Sequence, residues 1–460
     1  MAISRTLRVL SVSAGKALRE PRTRHALTTC SRRYCTASSP RHVSYITSAR
    51  IRLPTPHRSF ASASAPTFKD SISIDIDGKQ TTFDSVFLRD SCRCPHCVDP
   101  STSQKNFQTA DIPANVQASA EVITTPSGPS VVINWKNDIP SFSADHQTVL
   151  SLSFLRHALS PQKPGPVGIH TAVPARKLWN RDSMATANTF YDYSAYMSDD
   201  RTLYTVLKQL HTHGLAFLSN IPDTSQTNSS TGVVNITNRI GHLRETFYGR
   251  TWDVKSVPNA KNVAYTNVYL GFHMDLCYMD LTPRFQLLHS LRARAPGGES
   301  MFADAFAAAE RMRTESPDLF HALRTFPVTY HYFNAGHAYR QIRPTIELLD
   351  PSDPTSDLAL LNWSPPFQGP FVAGIDGTGV GLRTYLAAAK RFDELVNKPE
   401  NVFELRMEEG QCVLFDNRRV LHARRAFDVQ AGERWLKGTY LDRDVWASRF
   451  EVLRGVYEGK

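Results

Sequence analysis

The chain has 460 residues, 41% hydrophobic and 21% charged, enough for two or three domains with a large buried core. No stretch of about 18 uninterrupted apolar residues occurs, so a membrane-spanning helix is not expected. The formal net charge is +10, but residues 1–65 hold eleven Arg and one Lys against the single acid Glu20. The rest of the chain is therefore close to neutral, and the basic balance does not mark a nucleic-acid-binding face.

Residues 1–65 are rich in Arg and Ser, with Arg5, Arg8, Lys16 and Arg19 interleaved with Leu7, Val9, Leu10, Val12 and Leu18. That composition predicts a disordered mitochondrial transit peptide, removed on import into the matrix. Arg58-Ser-Phe60-Ala61-Ser resembles a processing site, and Arg33-Tyr34-Cys35-Thr36 is a weaker one. A small N-terminal α+β domain is expected over 66–160. It opens with strands over 71–76 and 81–87, then places Cys92, Cys94 and Cys97 within six residues. Thiols this closely spaced in an intracellular protein point to a metal rather than a disulfide, and tetrahedral zinc suits them. His96 is too crowded to complete the set; His146, before a helix-like run over 150–159, is the better fourth ligand.

Pro161, Pro164, Pro166 and Pro174 predict a linker over 161–200, followed by a catalytic domain over 201–455. That domain begins with a helix over 202–210 and a strand over 214–218. Another strand is expected over 285–291 and a helix over 305–314. Short strands follow over 328–333, 358–363, 402–407, 412–415 and 436–441, interrupted by a helix over 382–396. Short strands with inserted helices predict a mainly β, jelly-roll-like double sheet. Gly377-Thr-Gly379-Val-Gly381 lacks the Lys-Ser or Lys-Thr of a phosphate loop and reads as a turn.

The chemistry centres on His273-Met-Asp275. Residues two apart on an extended chain share a face, so this imidazole and carboxylate can reach one metal ion. His422, ending the apolar run from Cys412, is the candidate third ligand. Two His and one carboxylate with open positions form the ligand set of non-haem Fe(II) oxygenases. Twelve residues on, Arg434 offers a rigid fork for the far carboxylate of 2-oxoglutarate.

Taken together, these motifs resemble the gamma-butyrobetaine and trimethyllysine dioxygenases of carnitine biosynthesis, within the taurine-dioxygenase-like superfamily. The resemblance runs from about residue 70 to about 450. It includes Leu88-Arg-Asp, the cysteine cluster, Arg244 to Trp252, Asn262-Val-Ala-Tyr-Thr266, His273-x-Asp275, Gly297-Gly298, Phe415-Asp-Asn417, Leu421-His422-x-Arg424 and Arg434 to Tyr440. It implies a double-stranded β-helix catalytic domain, a zinc-bearing N-terminal domain and a homodimer. The cofactors implied are Fe(II), 2-oxoglutarate as cosubstrate and ascorbate.

The same resemblance implies a small trimethylammonium substrate in an aromatic cage of Tyr248, Trp252, Tyr265 and Tyr440, where ring faces attract a cation that cannot donate a hydrogen bond. It places Asn262 on the substrate carboxylate and Ser300 against 2-oxoglutarate. The stretches around Asn262 and His273 favour hydroxylation of gamma-butyrobetaine to L-carnitine. Trimethyllysine or another quaternary amine is the alternative, because Leu361 to Gln368 lacks an Asn-rich run that supplies a second carboxylate contact in animal butyrobetaine enzymes. A non-catalytic metal-binding scaffold is the reading from a different class.

Overall fold

The computed structural model describes residues 67–126, 128–159, 175–222, 231–256, 266–371 and 380–459. The chain divides into two compact units between Leu159 and Ser160. The expected transit peptide, Asn262, Tyr265 and the Gly377 turn lie outside the described residues.

In the first unit, β1 (Ser71–Ile76) and β2 (Lys79–Asp84) form a hairpin. Asp77 and Gly78, both at positive φ, supply the tight turn whose twist matches paired strands. The second strand ends earlier than expected. Asp84 accepts a hydrogen bond from the Val86 amide and caps α1 (Ser85–Asp90), so residues 85–87 are helical. An antiparallel sheet of β3 (Gln117–Thr125), β4 (Gly128–Lys136) and β5 (Gln147–Ser151) comes next, with α2 (Leu152–Ala158) capped by Ser151. Ile74, Phe83, Leu88, Val131, Ile133 and Leu155 make its core, and Cys92 and Cys97 are part of it.

The described part of the second unit opens inside the expected linker. Residues 181–198 form α3 (Arg181–Ala187), β6 (Phe190–Asp192) and α4 (Tyr193–Ser198). Asn180 and Asp192 cap the two helices, and β6 pairs with a strand of the main sheet. This correction has a local cause: the prolines cluster at 161–174, and the segment after them carries its own capping residues. Next come α5 (Asp200–His213), β7 (Leu215–Ser219), α6 (Gly232–Ile240), β8 (Trp252–Lys255), β9 (Leu270–His273), β10 (Phe285–Ala293) and β11 (Ser300–Asp304). Then α7 (Ala305–Glu315), α8 (Pro317–Thr325), β12 (Val328–Asn334), β13 (His337–Arg343), β14 (Ile346–Leu348), β15 (Leu358–Leu361) and α9 (Leu382–Val396) form the insertion. The chain closes with β16 (Phe403–Leu405), β17 (Cys412–Asp416), β18 (Val420–Arg424), β19 (Arg434–Leu441) and α10 (Arg443–Glu458).

Two sheets carry the site. One has the order β6-β7-β17-β10-β19-β8, the other β16-β11-β18-β9. Every residue of β17 is buried, and its side chains alternate. Val413 and Phe415 meet Phe302 and Val420 of the second sheet, whereas Cys412 and Leu414 pack with Leu207, Ile236, Trp446 and Phe450 of the covering helices. A strand covered on both faces reads as an unbroken apolar run, which is why 412–415 is so legible in sequence.

The turn from β17 to β18 is buried and polar. Asp416 pairs with Arg284, and Arg418 donates to the Leu361 carbonyl and to Asn362 Oδ1 at 3.1 and 2.6 Å. Arg419 grips Asp304 with two hydrogen bonds, at 3.1 and 2.8 Å, and donates to the carbonyls of Thr212 and Lys177. Removing one partner of such a buried pair costs about 3–5 kcal/mol, because the other charge is left uncompensated.

Candidate active site

His422 of β18 lies directly opposite His273 of β9 in the strand register, and their rings are 4.1 Å apart. Asp275 does not continue the strand. The ladder ends at His273 and a turn begins, with Leu276 at φ 61°. The expected pairing of His273 and Asp275 on one extended face is thus replaced by a strand end and a turn, yet the carboxylate still reaches the imidazoles. Asp275 Oδ1 is 3.4 Å from His273 Nε2 and 4.0 Å from His422 Nε2.

The donor set fits a metal ion. His273 Nδ1 donates to the Gly271 carbonyl at 2.8 Å, which leaves Nε2 with its lone pair. Burial, and then the nearby His273 ring, pushes His422 down to about 3, so it is neutral as a ligand must be. Burial alone would raise Asp275, but its two imidazole neighbours, His273 foremost, and the Tyr440 hydroxyl hold it below the usual carboxylate range. Two lone pairs and an anionic oxygen facing one another repel unless a cation sits between them. These three residues could hold one.

One pocket is lined by this trio and by Tyr248, Trp252, Tyr440, Ser300 and Arg434. All the described residues expected at the substrate and cosubstrate positions therefore meet in one place. Trp252 stacks on Tyr440 at 4.1 Å, with Tyr248 6.4 Å from Trp252. Gly438, paired with Trp252 across the sheet, makes this possible: a Cβ there would lie 2.6 Å from the indole. Arg434 donates from Nε to the Gly298 carbonyl at 3.2 Å. Gly298 is at φ +72°, and a Cβ on it would sit 2.8 Å from the Arg434 side chain. Burial, then the charge of Arg424, lowers Arg434 to about 9, still cationic at neutral pH. A half-buried guanidinium beside a second one is a receptor for an anion.

Two lining residues escape sequence reasoning. Tyr278 and Phe367 meet edge to face at 5.1 Å and extend the aromatic wall. Tyr278 lies only three residues beyond Asp275, a proximity that could have flagged it; Phe367 had no such signal.

In the first unit, His146 Nε2 is 3.6, 3.5 and 3.3 Å from the sulfurs of Cys92, Cys94 and Cys97. Its Nδ1 bonds Asp138 Oδ2 at 2.7 Å, and Asp138 also receives Arg89 Nε. The carboxylate fixes the ring with Nε2 toward the sulfurs, the usual support of a metal-bound imidazole. Burial, then the charge of Cys92, pushes the Cys97 thiol above its ordinary range. Three thiolates do not share this space without a cation, and the set could hold zinc.

A jelly roll whose pocket combines a two-His, one-carboxylate trio with a half-buried arginine has the architecture of an iron- and 2-oxoglutarate-dependent oxygenase. Comparison with known proteins is specific. Residues 182–440 match the model of the taurine catabolism dioxygenase TauD, TfdA family. Residues 69–156 match the N-terminal domain of gamma-butyrobetaine hydroxylase-like proteins. The chain is 38% identical to dioxygenase str8 of Strobilurus tenacellus, over 80% of this chain and 84% of that one. It is 33% identical to the gamma-butyrobetaine dioxygenase of Pseudomonas sp. strain AK-1, over 85% and 96%. It is 27% identical to the trimethyllysine dioxygenase of Meyerozyma guilliermondii, over 84% and 94%. The chain belongs to the TauD, TfdA family, and it is a 2-oxoglutarate-dependent dioxygenase.

Proposed function

We propose that the chain hydroxylates gamma-butyrobetaine to L-carnitine. The supporting observation is a single pocket with a metal-type trio and a half-buried arginine, walled by Tyr248, Trp252 and Tyr440. His273, Asp275 and His422 hold Fe(II) and leave positions open. Arg434 takes the far carboxylate of 2-oxoglutarate, with Ser300 beside it. Iron, 2-oxoglutarate and dioxygen together supply the oxidant, with release of succinate and carbon dioxide. The protein contributes orientation and exclusion of bulk water. The ring faces hold the trimethylammonium group, joined by Tyr265, and Asn262 takes the substrate carboxylate.

Structural zinc on Cys92, Cys94, Cys97 and His146, a homodimer, ascorbate as reductant and a mitochondrial matrix location complete the proposal. The location is supported by the basic, acid-poor composition of residues 1–65. That leader also supports trimethyllysine as the second candidate substrate, since the trimethyllysine dioxygenases of Gallus gallus and Bos taurus are named as mitochondrial.

The test offers both trimethylammonium compounds in parallel to the purified chain with Fe(II), ascorbate and 2-oxoglutarate. Mass spectrometry is expected to find one oxygen added to gamma-butyrobetaine, with matching succinate. Faster conversion of trimethyllysine would reassign the substrate, and conversion of neither would reject both trimethylammonium compounds as substrates.

A further inference from the structure

Asp275 lies past the end of its strand, so no ladder fixes it. Its backbone is held by Asn417, which is fully buried. Asn417 Oδ1 accepts the Asp275 amide at 2.8 Å, and its Nδ2 donates to the Asp275 carbonyl at 3.0 Å and to that of Pro283 at 3.3 Å. This side-chain amide imitates a neighbouring strand. It leaves the carboxylate torsion free, however, and the second constraint comes from Tyr440. The phenol donates to Asp275 Oδ2 at 2.7 Å, while Oδ1 is the oxygen that faces His273 and His422. The phenol itself cannot swing away: Tyr440 is 2% exposed, stacked on Trp252 and paired opposite Gln286 in the sheet.

We propose that Tyr440 is a positioning residue for the metal-site carboxylate as well as a ring of the pocket wall. Resting on the assignment of iron to the trio, this means that its hydroxyl occupies Oδ2 and keeps Asp275 a one-oxygen ligand. A carboxylate free to rotate can chelate through both oxygens and take a coordination position that the keto acid or dioxygen needs. The aromatic wall and the metal site thus share a residue, and the shared atom is the phenolic oxygen.

Tyr440→Phe keeps the ring and deletes that oxygen. Mn(II) is the probe, since it favours carboxylate and imidazole over the thiolates of the cysteine cluster. Free Mn(II) is followed by electron paramagnetic resonance on the full chain. The dissociation constant is expected to rise about 10- to 100-fold in Tyr440→Phe, the usual cost of losing an outer partner of a ligand. Tyr457→Phe, which removes a phenol of α10 outside the pocket lining, is expected to bind Mn(II) as the wild type does, and circular dichroism of both variants should match it. Equal affinity in Tyr440→Phe and wild type would overturn the proposal and leave the iron assignment standing. A wild type that binds no Mn(II) would overturn both. In the wild type alone, infrared difference spectra on Mn(II) binding are expected to show the wide band splitting of a one-oxygen carboxylate; the narrow splitting of a chelate would also refute the proposal.

Discussion

The two donor clusters of this chain differ in number, softness and surroundings. Cys92, Cys94, Cys97 and His146 supply four donors, three of them thiols, supported by the Asp138 carboxylate and a buried Arg89 whose guanidinium lies over Phe107 and Phe142. His273, Asp275 and His422 supply three harder donors that open on a pocket. Four donors complete a tetrahedron and leave no position for a reactant, whereas three leave room for one. Number and environment of donors, more than their presence, separate a cluster that staples a fold from one that does chemistry.

The largest expected effect breaks the second cluster. His422→Ala should lower 2-oxoglutarate turnover by well over about 100-fold, beyond the loss of an outer partner, as read by succinate release. The complementary Cys97→Ser should remove zinc from the first unit and destabilise it by about 3 kcal/mol or more, seen as a lower midpoint in thermal melting with metal analysis alongside. If Cys97→Ser instead abolished turnover in protein that still melts like wild type, the division of roles would fail. Arg434→Ala should weaken 2-oxoglutarate by about 1.5–3 kcal/mol, the strength of a hydrogen bond to a charged group, raising its KM with little change for the trimethylammonium substrate. Asp138→Ala should shed zinc about 10- to 100-fold more readily in a chelator competition, because His146 loses the partner that orients it. The smallest effect belongs to Trp252→Ala. It should weaken the trimethylammonium substrate by about 0.5–2 kcal/mol, measured as KM, while the metal stays bound.

Much of this was legible in the sequence, for identifiable reasons. The run 412–415 announces a doubly covered strand, and the cysteines announce their cluster by spacing. His422 is legible because an apolar run that reaches an imidazole is unusual, and the register places it across from His273, in the middle of β18. Other features depend on distant partners and left no local trace. The turn at Asp275, the Leu276 conformation and the Asn417 bridge arise from packing between segments about 140 residues apart in sequence. The helices of 181–198 were obscured by the prolines before them; the residues that cap them, Asn180 and Asp192, are of the types that favour helix starts. Phe367 could be read as one more loop aromatic until the fold brought it to Tyr278.

The loop from Asp416 to Arg419 has a consequence for how the protein can vary. Four consecutive side chains each satisfy a different remote segment: Arg284, the backbone at Asp275, the end of β15, and Asp304. Exchange of any one strands a buried charge or amide somewhere else, so the quartet is expected to change as a block or not at all. A saturation library confined to those four codons should yield far fewer folded members than one of equal size at the β12–β13 tip, where Phe333 is 85% exposed.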